Sequence, residues 1–408
     1  MSELMEADGT RVFRVLHCFG GMELGGAETF AMHAYRSVDR GRLQFDFAVS
    51  AEKECYYDEE IRSLGGRVIQ HTAPAKAGLR SYGRELRTIL RQFGPFSAIH
   101  CHLSYFSGYV LRIAASEGVP VRIAHLHNTR DARSGTLLGL AYHTAMGRLI
   151  KRHATHIFGC SGKVLEVTFG NGWPNDSRMS IMRNGIDLKP YSAPRRPQAV
   201  LRQELSLPTE GTLLGHVGNL TAAKNHKFLV EMFRHYLKKD PKATLVLVGD
   251  GPLRNVIASQ VKACSLNDRV RFLGRQAQSD IPALLAAFDV LVMPSIHEGL
   301  PVSLIEAQAA GVPCVVSDAI TREVDLALGL LRFVNLREGS GQWLHAVEDA
   351  LRLSRPEWAT RRAALTACGY DSEDSACALS RTYAGSPTPD GATEAVPSLS
   401  PGKAGLWI

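Results

Sequence analysis

Ten apolar runs of four or five residues, alternating with stretches of helical period, are the feature that most limits how this chain can fold. Strands that alternate with helices must cross back in parallel, and a parallel strand covered on both faces reads as continuously apolar. Residues 12–16 and 45–49 read as strands, with helices predicted over 27–36 and 57–64. Residues 97–100, 121–125 and 155–159 continue the pattern, and Ser161 opens another helix. Around 184–197 the texture changes to Asn-Gly-Ile-Asp followed by Pro190, Pro194 and Pro197, a linker composition. The alternation then restarts at 213–217 and runs through 244–248, 270–273, 290–293 and 314–317, with helices predicted over 227–239, 253–264, 281–287 and 302–310. The expected class is α/β, with two Rossmann-like, doubly wound parallel-sheet domains facing across a cleft. The expected division is a first domain over 1–190, a second over 198–368, a helix over 369–384 that returns to the first domain, and a disordered Pro/Ser/Gly/Thr-rich tail over 385–408.

Composition narrows the function classes. With 45% apolar and 21% charged residues the chain is ordinary globular material, and no run reaches the roughly 20 apolar residues of a membrane span. The polar, acidic start is unlike a secretory signal, so a cytoplasmic location is expected. Eight scattered cysteines form no Cys-x-x-Cys pair, which speaks against a zinc knuckle or a disulfide scaffold. The net charge of +7 comes without a nucleic-acid motif, so nucleic acid is not an expected partner. The basic residues of 147–153, beside an apolar helical stretch from Leu137, suit peripheral contact with an anionic membrane such as the inner face of the plasma membrane; a solvated helix face is the competing reading.

Residues 294–314 carry the strongest chemical signal. Glu298 and Glu306 stand eight positions apart in an otherwise apolar stretch, the first in a strand-to-helix loop with Gly299, Leu300 and Pro301, the second in the opening turns of the helix. Burying a carboxylate without a partner is costly, and the carboxyl ends of parallel strands, beside helix N-termini that attract anions, are where such sheets bind ligands. Carboxylates there take hydroxyls and amides take phosphate, which together describe a nucleotide sugar.

Weaker signals sit at the other turns. Gly20, Gly21, Gly25 and Gly26 precede the first helix and suit a cradle for phosphate or hydroxyl, or form a plain turn. Their spacing is not Gly-x-Gly-x-x-Gly and no ribose-binding acid closes the unit, which argues against a dinucleotide oxidoreductase. His125 and His127 fall on opposite sides of an extended chain, so one of them faces the cleft; His127, at the strand's end, is the candidate, against the reading of a satisfied structural histidine. Without Cys or carboxylate neighbours the pair is not a metal motif. Lys224 is the sole cation of the turn 218–226, which also carries Asn219, and is placed either to neutralise a departing diphosphate or simply on the surface. Gly251, Pro252 and Leu253 open another helix where a base or ribose could rest, and Asp250 is equally suited to cap that helix.

Taken in order, these motifs resemble the family-4 retaining glycosyltransferases of the GT-B type. Gly25-Gly26-Ala27-Glu28-Thr29, Gln44-Phe45-Asp46-Phe47, Tyr57-Asp58-Glu59-Glu60-Ile61 and His102-Leu103-Ser104-Tyr105 look like the bacterial exopolysaccharide and capsule subgroup. The resemblance implies a first domain for the acceptor and a second for an NDP-sugar, UDP-sugar foremost. Glu298 would then meet the donor sugar, Glu306 the ribose, Lys224 the diphosphate and His127 the reacting sugar, with Gly25 and Gly26 at the diphosphate or acceptor. It implies transfer of a hexose or amino-hexose, with retention, to a glycan or lipid-linked acceptor. No Asp-x-Asp element is present, so a metal-independent enzyme without cofactor is expected. Asn219 departs from the family pattern, which many relatives fill with an arginine. That departure keeps open a second reading, a nucleotide-sugar-binding, weakly active subunit of a polysaccharide assembly complex.

Overall fold

The computed structural model describes residues 12–128, 136–192 and 196–385; the expected tail, apart from Gly385, lies outside the described residues. The first sheet comprises β1 (Phe13–Phe19), β2 (Leu43–Val49), β3 (Val68–Gln70), β4 (Ala98–Cys101), β5 (Val121–Leu126), β6 (His156–Gly159) and β7 (Met179–Ile181). Its order is β3-β2-β1-β4-β5-β6-β7 and every pair is parallel. The second comprises β8 (Leu213–Val217), β9 (Thr244–Val248), β10 (Val270–Gly274), β11 (Val290–Met293), β12 (Cys314–Ser317) and β13 (Leu331–Val334), again all parallel, in the order β10-β9-β8-β11-β12-β13.

Each order reverses once, between β1 and β4 in the first sheet and between β8 and β11 in the second. Chains leaving neighbouring strands there turn to opposite faces and leave a crevice at the carboxyl edge. Central strands such as β8, β9, β11 and β12 are buried at every position, as helices on both faces require.

The two sheets are joined twice. The chain passes from first to second domain after Ile186, then returns through the helix Ser372–Tyr383, which packs against the helix Gly26–Ser37. Ala376, Leu379 and Tyr383 are part of the first domain's core. The outgoing and returning segments are bonded to each other, Ile186 N donating to Tyr370 O at 2.9 Å and Ser372 N to Ile186 O at 3.1 Å.

The structure adds elements that the sequence reading did not name. They include the edge strand β3, the amphipathic helix Pro74–Phe93, β7, β13 and the helices Gly339–Leu351 and Trp358–Ala367. The first strand also runs three residues past its expected end, to Phe19, because His17 is buried as a strand residue instead of closing the run. All eight cysteines are free.

Candidate active site

The two crevices face each other and form one cleft of about 570 Å³. From the first domain it is lined by Gly25 and Gly26 after β1, His102 after β4, His127 after β5, and Asn184. From the second it is lined by Asn219 and Lys224 after β8, Gln278 after β10, Glu298, Gly299, Leu300 and Pro301 after β11, and Glu306.

Lys224 and Glu298 stand on either side of the β8/β11 reversal and form an ion pair, Nζ to Oε1 2.7 Å, with both side chains about 15% exposed. The lysine stem is shaped by Gly218, where any Cβ would come within 3.0 Å of Lys224 Cε. Glu306 lies in the helix Val302–Ala309, 5% exposed, and accepts a hydrogen bond from Gln278 Nε2 at 2.5 Å. Burial raises its carboxyl from 4.5 to about 7, Gln278 pulling the other way. Glu28, in the first turn of the helix Gly26–Ser37, also lines the cleft and is likewise raised by burial to about 7.

Helix N-termini enter from both domains. The helices beginning at Gly26 and Val302 meet so closely that a Cβ on Gly26 would lie 3.5 Å from Val302 Cγ2 and 3.7 Å from Asn184 Nδ2. Their free amides and positive dipole ends favour an anion between them. The domains touch closely at Gly299, where a Cβ would fall 2.3 Å from the His127 carbonyl oxygen. Arg275, a further cation on the cleft wall, pairs with Glu23 of the opposite domain at 2.7 Å.

The His127 ring abuts the cleft, but its nitrogens turn inward: Nε2 is 2.8 Å from His102 Nδ1, and Nδ1 is buried on the side of Asn184. Burial pushes its pKa down to about 3, so the imidazole is neutral. Gly251, Pro252 and Leu253 are the sequence candidates that do not line the cleft. Gly251 packs on the Leu220 backbone, where a Cβ would sit 2.7 Å from Leu220 O, and Leu253 N donates to that same oxygen at 3.0 Å. These residues support the Asn219–Lys224 turn from behind, while Gly249 is the residue of that loop that reaches the cleft. Asp250 bonds the amide of Gly251 at 2.8 Å, and Leu253 occupies the N-cap position of the helix Arg254–Ala263.

Glu28, Arg275 and Gln278 were missed in the sequence. Glu28 stands two residues after Gly26 and was visible there as an acid in a first helical turn; Arg275 and Gln278 follow the β10 end, where only the topology shows that the chain re-enters the cleft.

Two facing doubly wound domains with an anion-attracting cleft and buried carboxylates define a glycosyltransferase of the GT-B type. The family profile described as "Glycosyl transferase 4-like domain" matches residues 25–185, and the one described as "Glycosyl transferases group 1" matches 197–324. The chain belongs to the family-4 glycosyltransferases. It is 35% identical over 370 residues, 91% of this chain and 96% of the relative, to the putative glycosyltransferase EpsF of Bacillus subtilis. It is 27% identical over 238 residues, 55% of this chain and 58% of the relative, to the UDP-Gal:alpha-D-GlcNAc-diphosphoundecaprenol alpha-1,3-galactosyltransferase of Escherichia coli. Among solved structures, HepE of Anabaena in complex with UDP shares the fold with a TM-score of 0.72, at 18% identity over 92% of this chain and 100% of its own.

Proposed function

We propose that the protein transfers a hexose or amino-hexose from a UDP-sugar, with retention of the anomeric configuration, to a glycan or lipid-linked acceptor in exopolysaccharide or capsule synthesis. The observation that carries this reading is the Lys224–Glu298 pair at the β8/β11 reversal, set beside two helix N-termini and facing His127 of the other domain. The resemblance to EpsF and to a galactosyltransferase whose name states a UDP-sugar donor and a lipid-diphosphate acceptor supports the same substrate class. In this reading Lys224 and the amides near Gly26 and Val302 hold the diphosphate, and Glu298 turns from the lysine to the donor sugar's hydroxyls. Glu306 and Gln278 hold the ribose, and Gly299, Leu300 and Pro301 line the sugar subsite.

The acceptor hydroxyl oxygen bonds to the anomeric carbon as the bond from that carbon to the phosphate oxygen breaks. The acceptor proton passes to the leaving phosphate on the same face, so no protein nucleophile is required and the chain's contribution is positioning and electrostatic stabilisation. Charge neutralisation by Lys224, Arg275 and helix amides needs no metal ion or other cofactor. The protein works in this reading at the inner face of the plasma membrane. Leu137, Leu138 and Leu140 are 87%, 85% and 64% exposed at the start of the helix Leu137–His153, and Lys151 and Arg152 are exposed at its end, a pattern suited to an anionic lipid surface.

The test is turnover: purified protein, UDP-sugars and a membrane extract or synthetic glycolipid acceptor, with product linkage read by NMR. Product with inverted configuration refutes retention, and no product from any donor refutes the enzyme reading. Asn219, uncharged beside the diphosphate site, motivates the second reading of a nucleotide-sugar-binding subunit with little activity. Tight UDP-sugar binding without turnover would select it.

A further inference from the structure

Beneath the cleft, five imidazoles cross the carboxyl ends of three adjacent strands: His17 on β1, His100 on β4 and His102 just past it, His125 on β5 and His127 just past it. His17 Nδ1 lies 3.2 Å from His102 Nε2, and His102 Nδ1 lies 2.8 Å from His127 Nε2. The rings of these two pairs are 14° and 22° from coplanar. Their centres, 5.5 and 5.1 Å apart, are separated by the N···N distance plus two ring radii, so the nitrogens point straight at each other. A second file lies deeper: Tyr383 Oη is 2.6 Å from His100 Nδ1, and His100 Nε2 is 3.2 Å from His125 Nδ1.

Proximity alone would allow a metal ion, since ligand atoms of His102, His125 and His127 fall within 4.8 Å of one another. Orientation does not. An ion bound about 2.0–2.1 Å from each nitrogen must lie on both lone-pair axes, and between nitrogens facing head-on at 2.8 Å there is no such point. The contacts are N–H···N hydrogen bonds.

A neutral imidazole has one N–H and one lone pair, which leaves two ways to satisfy the file His17–His102–His127. With every proton on Nδ1, the bonds run from His17 to His102 to His127. The last N–H, on His127, then faces Asn184, whose Oδ1 is buried without another partner among the described residues. With every proton on Nε2 the bonds reverse. The last N–H, on His17, is then left without an acceptor among the described residues, against the rings of Phe45, Phe47 and Tyr383, and the His127 and Asn184 lone pairs oppose each other. A buried N–H without an acceptor is the rarer and costlier defect.

We infer that His102 and His17 are positioning residues that hold His127 as an uncharged Nδ1–H donor to Asn184 at the cleft floor. The inference rests on the cleft being the transfer site. A donor locked this way fixes the side chain of Asn184, which lines the cleft, and leaves His127 no free nitrogen to take a proton from a ligand. The groups facing His127 are His102, His125, Phe30 and Asn184 in its own domain and the Gly299 backbone opposite. The charged groups on the cleft wall are Glu28, Lys224, Arg275, Glu298 and Glu306.

Nitrogen-15 spectra of the histidine-labelled full chain test this without any turnover. His127, assigned with His127→Gln, should show the Nδ1–H pattern and stay neutral from about pH 5 to 8. An Nε2–H pattern, titration near the free-histidine value, or a stoichiometric metal ion in elemental analysis would overturn the inference. In transfer assays His102→Ala frees His127 to rotate and titrate, so kcat should gain an acidic limb near pH 6.5 with little change in KM. His102→Gln, which can donate and accept along the same line, should restore the flat profile. A His102→Ala profile parallel to that of the unmodified protein counts against the inference. An inactive protein with the expected tautomers counts against the transfer reading alone.

Discussion

Lys224 Nζ and Glu298 Oε1 are 2.7 Å apart on two loops of one domain, so without a donor the cleft's lysine is already neutralised. A diphosphate that claims the lysine releases the carboxylate to the sugar, which couples the two ends of the donor. Lys224→Ala should lower kcat/KM by about 10²-fold or more, the cost of losing one transition-state charge contact. Glu298→Gln should leave UDP binding equal or tighter, by calorimetry, while transfer falls. UDP binding weakened as much as transfer would contradict this coupling.

Glu306 links binding to pH. Its carboxyl is raised by burial from 4.5 to about 7, so the folded chain holds a proton that the unfolded chain releases across that interval. Stability therefore falls as pH rises from 4.5 to about 7. Glu306→Gln removes the group: its Tm should match the unmodified protein at the acid end and exceed it above about pH 8, by at most about 3 kcal/mol in stability. The same variant should bind UDP more weakly. A Tm difference independent of pH would show that Glu306 does not titrate in this interval.

Asp46, wholly buried, accepts two bonds from Arg14 at 2.7 and 2.8 Å and two from Arg67, one from its guanidinium and one from its backbone amide at 2.9 Å. Burial alone would raise this carboxyl, but the two arginines hold it below its ordinary range. Asp46→Ala leaves the Arg14 guanidinium without its carboxylate, while Arg67 keeps the Phe93 carbonyl, and should destabilise by about 3 kcal/mol, seen as a lower midpoint in denaturant. Its stabilisation is present above the ordinary carboxylate pKa and is lost as pH falls below it. A midpoint within error of the unmodified protein would mean that the network contributes nothing net.

At Gly299 the domains meet so closely that a methyl group would collide with the His127 carbonyl oxygen, 2.3 Å away. Gly299→Ala should hold the domains apart. Transfer should fall, the radius of gyration measured by X-ray scattering with UDP should rise, and Tm should barely move because the clash lies between cores. Full activity with unchanged scattering would show that closure does not depend on this contact.

Much of the architecture was legible because strands buried on both faces leave continuous apolar runs: 213–217, 244–248, 290–293 and 314–317 coincide with β8, β9, β11 and β12. The edge strands β3 and β7, three residues each, carry too short a run to stand out. His17 hid the end of β1, since a histidine reads as polar while here it is an interior hydrogen-bonding ring. In the site, Lys224, Glu298 and Glu306 were legible as polar residues at strand ends. Gly251 shows the limit: a glycine in a strand-to-helix turn looks the same whether it admits a ligand or, as here, a neighbouring carbonyl. The partnership of His102 with His127 spans 25 positions and depends on strand order, which periodicity does not carry.

The two segments that pass between the domains, bonded together at Ile186 and at Tyr370–Ser372, behave mechanically as one pin. A pair of lobes strung on a single thread could twist and splay in any direction. Two threads clipped side by side leave a swing about one axis, so the lobes meet in the same register at each closing and the lysine, the carboxylates and the imidazole return to the same mutual positions.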